Sequence, residues 1–227
     1  MFLKRSSKPE LMDDFALGDQ RIETALKELH LINRFLGGIT VSEKGIRKLL
    51  NSHTSATKIL DVGGGGSDVL SDLNEKYPLN IFSLDLNKYS CQYQKNQHPD
   101  HQVTCADALQ LPFKTRSFDI VHASLFLHHF SEAEIIRLLK HFRLISNKGV
   151  IINDLRRNVL AYTGIKLLSM MFSRSTFVKN DGPLSVLKSF TKNDLDEILS
   201  SAGIKKYVIR RMWAFRFLVL IEVDEDG

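Results

Sequence analysis

The chain has 227 residues, 43% of them apolar and 25% charged, which fits one globular domain with a sizeable core and excludes a low-complexity or fibrous chain. Its formal net charge of +5 is spread along the sequence, without the dense basic stripe of a nucleic-acid module. Cys91 and Cys105 are the only cysteines and give neither a disulfide framework nor metal-ligand spacing, so no metal is assigned.

The opening MFLKRSSKPELMDD has no apolar signal-peptide core, and no stretch nears the roughly 18 apolar residues of a spanning helix. The expected location is cytoplasmic. Ile22, Ala25, Leu26, Leu29, Ile32, Phe35 and Leu36 recur at helical spacing, and Gly37 and Gly38 end that helix. A second short helix is expected from Ser42 to about Leu50, with Ser42 as its N-cap. From Lys58 the pattern alternates. KILDV, NIFSLDL, HQVTCA, SFDIVHASL and KGVIINDL read as strands, and SDVLSDLNEKY, KYSCQYQKNQH and SEAEIIRLLKHFRLI as helices. Ser131 and Glu134 form a capping box for the last of these. Such alternation implies parallel β-α units with helices on both faces. TKNDLDEILSSAG is a helix capped by Thr191 and ended by Gly203. IKKYVIRR and AFRFLVLIEV are joined too tightly to be parallel neighbours and should form an antiparallel hairpin.

ILDVGGGGSDVL, residues 59–70, places four consecutive glycines between the first strand and the first helix, where open α/β sheets bind ligands. Gly63 and Gly65 would let a ligand lie against the main chain. Asp85 ends the second strand roughly twenty residues on, where a carboxylate can bridge the ribose hydroxyls of a dinucleotide or an adenosyl ligand. Asp107 ends the third strand within ADALQLPF.

LDVGGGGSD, SLDLN, ADALQLPF, SFDIVHASLFLHHF and GVIINDL, in this order from about Lys58 to Leu155, resemble the class I S-adenosylmethionine-dependent methyltransferases. The likeness is closest to the small-molecule branch, which includes quinone and polyketide-tailoring enzymes. It implies an α/β, Rossmann-like fold: a seven-stranded, mostly parallel sheet with an antiparallel C-terminal hairpin, a helical N-terminal cap and a lid insert. It implies S-adenosyl-L-methionine as cofactor and S-adenosyl-L-homocysteine as product. By the same resemblance Asp61, Gly63 and Gly65 would line the methionine end. Asp85, with Leu86, would take the ribose hydroxyls. Asp107 would accept from the adenine amino group beside Ala108, and Ala123 and Ser124 would form the strand edge nearest the methyl group. Ser67 stands where the family often has a third glycine. The domain plan is a single unit: cap 1–56, cofactor-binding core 57–155, lid insert 156–190, last helix and hairpin 191–227.

Two other classes stay open beside this reading. A catalytically silent cofactor-binding assembly module would keep the same pocket. A nicotinamide-dependent oxidoreductase is disfavoured by the terminal hairpin and by Val69, which sits where a third glycine should fall.

The expected partner is a small hydrophobic acceptor and not a nucleic acid. HASL stands where many amino methyltransferases carry an Asn/Asp-Pro-Pro-aromatic motif, which argues against a flipped base. A phenolic hydroxyl of a polyketide-like or aromatic compound is the first choice, and carbon methylation of a quinone precursor the second. His128 and His129 follow the fourth strand and Asp154 ends the fifth; these are the candidates for taking or directing the acceptor's proton. Arg34, in the cap segment NRFLGG, and Arg156 and Arg157, after the fifth strand, are candidate acceptor-binding cations. In the apolar insert NVLAYTGIKLLSMMFSRSTFV, Leu168, Met171 and Phe172 are the expected lid contacts. Its flanking basic residues also suit a peripheral contact with an anionic membrane.

Overall fold

The computed structural model describes residues 2–14, 20–50 and 56–223. Residues 51–55 of the expected cap and residues 224–227 after the hairpin lie outside the described residues.

The strands are β1 (Thr57–Val62), β2 (Leu79–Asp85), β3 (Gln102–Cys105), β4 (Phe118–Ser124), β5 (Ser146–Leu155), β6 (Tyr207–Met212) and β7 (Arg216–Glu222). They form one sheet in the order β3-β2-β1-β4-β5-β7-β6. β1 to β5 run parallel, and β7 is inserted antiparallel between β5 and β6. The expected hairpin therefore closes the sheet from one side. β7 is buried on both faces until Glu222, which is why FLVLI reads as a continuous apolar run and not as an alternation. The chain winds outward from β1 in one direction and from β4 in the other. That reversal opens a crevice at the carboxyl ends of β1 and β4.

The helices are α1 (Gln20–Phe35), α2 (Gly38–Leu49), α3 (Asp68–Asn74), α4 (Lys88–Gln97), α5 (Glu132–Ile145), α6 (Val159–Phe172), α7 (Thr176–Lys188) and α8 (Lys192–Ser201). One apolar core lies between the sheet and α5 with α8; a second lies on the opposite face under α2 and α3. The capping boxes at Ser131 with Glu134 and at Thr191 with Asp194 set the starts of α5 and α8. Gly203, at φ 73°, takes up the left-handed turn after α8.

Two expected elements differ. Ser42 is not an N-cap: α2 starts four residues earlier, after Gly37 at φ 76°, and Ser42 lies inside the helix, fully buried and hydrogen-bonded. The insert is two helices, α6 and α7, packed against each other; Asn158 and Ser175 each accept from a backbone amide in the first turn. Among the described residues no helix is long and apolar enough to cross a membrane.

Residues 2–14 cross the outer face of this assembly. Arg5 donates to the carbonyls of His128, Phe130 and Lys188. The Leu11 and Met12 amides donate to the buried carboxylate of Asp181.

Candidate active site

A cavity of about 1010 Å³ opens where the carboxyl ends of the central strands meet α1, α6 and α7. The glycine loop is its floor. Gly63 and Gly65 have φ of 67° and 53°, the left-handed region that side chains avoid. A Cβ at Gly64 would stand 2.5 Å from Ser83 Oγ, so the loop is also packed from behind. The four glycines answer these two demands, and the bare backbone of residues 63–66 faces the cavity.

Asp85 lines the cavity beside Leu86. Its carboxylate accepts from the Gly65 amide at 2.9 Å and the Asn87 amide at 2.8 Å. Burial pushes its pKa above the usual carboxylate range, against the pull of these two amides. The capping of α4 falls to Asn87, which accepts from Tyr89 and Ser90, so Asp85 is not spent on the helix. Asp107 and Ala108 line the far end, and Asp107 Oδ1 accepts from Leu109 N at 2.8 Å. Ser124 lines the cavity, whereas Ala123 points into the apolar core: neighbours on a strand face opposite sides.

Asp61 borders the cavity but both its oxygens are engaged, by His122 Nδ1 at 2.7 Å and Ser67 Oγ at 2.8 Å. From there a buried polar chain crosses the sheet. Ser42 Oγ meets His122 Nε2 at 2.8 Å, and Asn153 Nδ2 donates to Ser42 Oγ at 3.0 Å. Arg216 Nη1 then donates to Asn153 Oδ1 at 3.1 Å, and its other nitrogens reach the Leu36 carbonyl and Asn33 Oδ1. Burial lowers the Arg216 pKa to about 10, with Asp154 opposing. This chain ties the glycine loop to the turn between α1 and α2. Apart from Asp61, its members were not among the expected site residues. Their one sequence signal is a polar residue inside an apolar strand run, as His122, Asn153 and Arg216 are.

The histidines part company. His128 is buried, and its Nδ1 donates to Asp154 Oδ1 at 2.7 Å. Asp154 also accepts from the His128 and Leu155 amides. Burial would raise the Asp154 pKa, but the attraction and hydrogen bond of His128 outweigh it and hold it below the usual range. His129 Nδ1 donates to Asp13 Oδ1 at 2.8 Å. Burial disfavours its charge, yet the bond to Asp13 and the nearby Glu10 raise its pKa above the ordinary value. Lys188 Nζ lies 3.2 Å from Asp13 Oδ2 and 3.3 Å from Glu10 Oε1. Glu10, Asp13 and Lys188 were not expected here: they come from distant parts of the chain and carry no motif.

Four expected acceptor contacts do not reach the cavity. Arg157 is buried behind it, donating to the Phe2 and Ser189 carbonyls and to Asp194. Arg34 is exposed on the outer face of α1. Met171 and Phe172 are 71% and 74% exposed. α6 buries only the small Ala161 and Ser169, so its larger side chains at this end turn outward. Leu168 does line the cavity, with Leu160 and Ile165, and so does Arg156, whose guanidinium lies 5.2 Å from the Phe215 ring centre.

Residues 60–153, the segment that carries this loop and both strand-end carboxylates, match the family described as Methyltransferase domain. The chain is a class I S-adenosylmethionine-dependent methyltransferase. The methyltransferase is 27% identical over 191 residues to a Thermotoga maritima protein named demethylmenaquinone methyltransferase, covering 77% of this chain and 82% of that one. A Chlorobaculum tepidum protein of the same name is 26% identical over 178 residues, covering 73% and 72%. A solved S-adenosylmethionine-dependent methyltransferase from Aquifex aeolicus superposes on the methyltransferase with a TM-score of 0.62 at 15% identity, covering 88% of this chain and 97% of that one. The residues present suit the cofactor: a main-chain cradle that a Cβ would fill, and recessed carboxylates at two strand ends.

Proposed function

We propose that this methyltransferase acts on a small, apolar aromatic acceptor carrying an ionisable hydroxyl, with the phenolic oxygen of a polyketide-like or other aromatic compound as first target. The observation that carries this reading is the buried His128–Asp154 pair beside the cavity. Asp154 holds the Nδ1 proton, so the Nε2 lone pair is the one available to take the acceptor's proton. His128 is thus the base and Asp154 its positioning residue, while His129 is committed to Asp13.

S-adenosylmethionine, when bound, supplies a methyl group already activated on a sulfonium. In this reading Asp85 and Leu86 hold the ribose, and Asp107 with Ala108 the adenine. Gly63, Gly65 and Ser124 face the methionine end, and Asp61 fixes the loop through Ser67. Leu160, Ile165, Leu168 and Arg156 form the acceptor wall. The whole chain then works as one domain, with residues 156–190 covering the acceptor side.

A second reading, carbon methylation of a quinone precursor, is favoured by the likeness to two proteins named demethylmenaquinone methyltransferase. Ionising a hydroxyl of a reduced quinone loads electron density onto the neighbouring ring carbon, so the same histidine serves. The apolar outer face of α6, with Leu167, Met170, Met171 and Phe172 exposed beside Lys166 and Arg174, supports peripheral contact of a cytoplasmic protein with an anionic membrane.

The test uses methyl-labelled cofactor with 1-naphthol and, anaerobically, with reduced 1,4-naphthoquinone. Label in an ether supports the first reading and label on a ring carbon the second. Label in neither product, or undiminished turnover by His128→Ala, overturns the proposal.

A further inference from the structure

Glu10 sits in the cavity wall, 6% exposed, although nothing in its sequence surroundings marks it. Its Oε2 accepts from Ser185 Oγ at 3.0 Å. Among the described residues its Oε1 is buried without a hydrogen-bond partner, which is rare for a carboxylate oxygen in a folded interior. Three nitrogens surround that oxygen: Lys188 Nζ at 3.3 Å, His128 Nε2 at 3.7 Å and His129 Nδ1 at 3.9 Å. Asp154 takes the Nδ1 proton of His128, so Nε2, the nitrogen nearer Glu10 Oε1, is the one left to accept a proton. A carboxylate oxygen thus lies close to the nitrogen on which positive charge would develop, without blocking it by a hydrogen bond.

We propose that residues 2–14 form a strap that completes the acceptor site, with Glu10 as a positioning residue that stabilises the imidazolium of His128; this rests on the reading of His128 as the base. In the step concerned, the acceptor's O–H bond breaks, its electron pair stays on oxygen, and an N–H bond forms at Nε2. The new N–H forms at the nitrogen 3.7 Å from Glu10 Oε1, and the charged ring lies between the carboxylates of Glu10 and Asp154.

The surrounding charges leave room for that charge. Lys188 lies against both Glu10 and Asp13, His129 is bonded to Asp13, and Asp154 is left to balance His128. Arg5 faces this group only through the main chain, donating to the His128 carbonyl. Asp181 is turned to the Leu11 and Met12 amides. The strap is therefore fastened on both sides of Glu10. Glu10, His128 and His129 have donor atoms within 4.8 Å of one another, as a metal ion would need. Lys188 already supplies the cation beside Glu10, which favours the charge-stabilising role.

The test is nitrogen NMR of the His128 side chain in the full chain, native against Glu10→Gln. An opposite charge at this range moves a titration by about 1–3 pH units. Loss of the Glu10 charge should move the His128 midpoint downward. Asp13→Asn, which keeps Glu10, should move the His129 midpoint and leave that of His128 in place. With the naphthol or naphthoquinol probe, Glu10→Gln should lower kcat while the KM for cofactor and the Tm hold. An unmoved His128 midpoint, with His128→Ala inactive, overturns this inference alone. Full turnover by His128→Ala, with the midpoint shift intact, overturns the base assignment and with it the catalytic use of Glu10. Tight binding of zinc alone by the native chain, lost in Glu10→Gln, overturns the inference in favour of a metal site.

Discussion

Gly63→Ala tests why the loop is bare. At φ 67° any residue with a Cβ is strained by about 1–2 kcal/mol. The new methyl would lie 2.0, 2.6 and 2.8 Å from three carbons of the Phe126 ring, so the ring must retreat by roughly 1.5 Å to reach ordinary carbon contact. Phe126 cannot retreat freely, because it packs on Phe130 with ring centres 4.8 Å apart. Overpacking of this kind costs about 1–3 kcal/mol. Together the two effects come to about 2–5 kcal/mol. At roughly 2–4 °C per kcal/mol for a chain of this size, Tm should fall by about 4–20 °C. Phe126 also lines the cavity two residues before His128, so affinity for S-adenosylhomocysteine should fall as well. Gly164→Ala is the control: a Cβ there meets nothing within 4 Å, and a mid-helix alanine should be neutral or stabilising by about 0.5–1 kcal/mol. Thermal unfolding and calorimetry on both variants decide it. A Gly63→Ala protein that melts like the native chain and binds S-adenosylhomocysteine normally would refute the reasoning.

Asp85→Ala should weaken S-adenosylhomocysteine binding at least tenfold, since a hydrogen bond to a charged group contributes about 1.5–3 kcal/mol; unchanged affinity by calorimetry contradicts the ribose role. Burial raises the Asp85 pKa, so binding should fade on acidification at a higher pH than an exposed aspartate would give, read from affinity against pH. His129 has a raised pKa, so its bond to Asp13 adds stability that is complete below the ordinary histidine value and lost as pH rises through the raised one; the Tm gap between native and Asp13→Asn should narrow as pH rises through that raised value. Met171→Glu should leave Tm nearly unchanged, because the side chain is exposed, and should reduce binding to anionic vesicles. A marked fall in Tm would instead place Met171 in a packed interface.

The alternation of strands and helices, the glycine run, the strand-end carboxylates and the closing hairpin are all local patterns. Backbone chemistry and side-chain periodicity dictate them within a few residues, so the sequence by itself determined the fold class and the ligand-bearing end of the sheet. Which way the insert turns was not local. Its apolar run admits either face inward, and the helix buries Ala161 and Ser169, leaving Met171 and Phe172 outside while Leu168 borders the cavity. The same holds for the arginines: Arg157 finds its partners at Phe2, Ser189 and Asp194, far along the chain. The polar chain from Asp61 through Arg216 to Asn33 and the meeting of Glu10, Asp13 and Lys188 with the two histidines join residues separated by as many as 183 positions. A buried charge needs a partner in space and is indifferent to its place in sequence, so only the tertiary structure decided which histidine faces Asp154 and which carboxylates surround it.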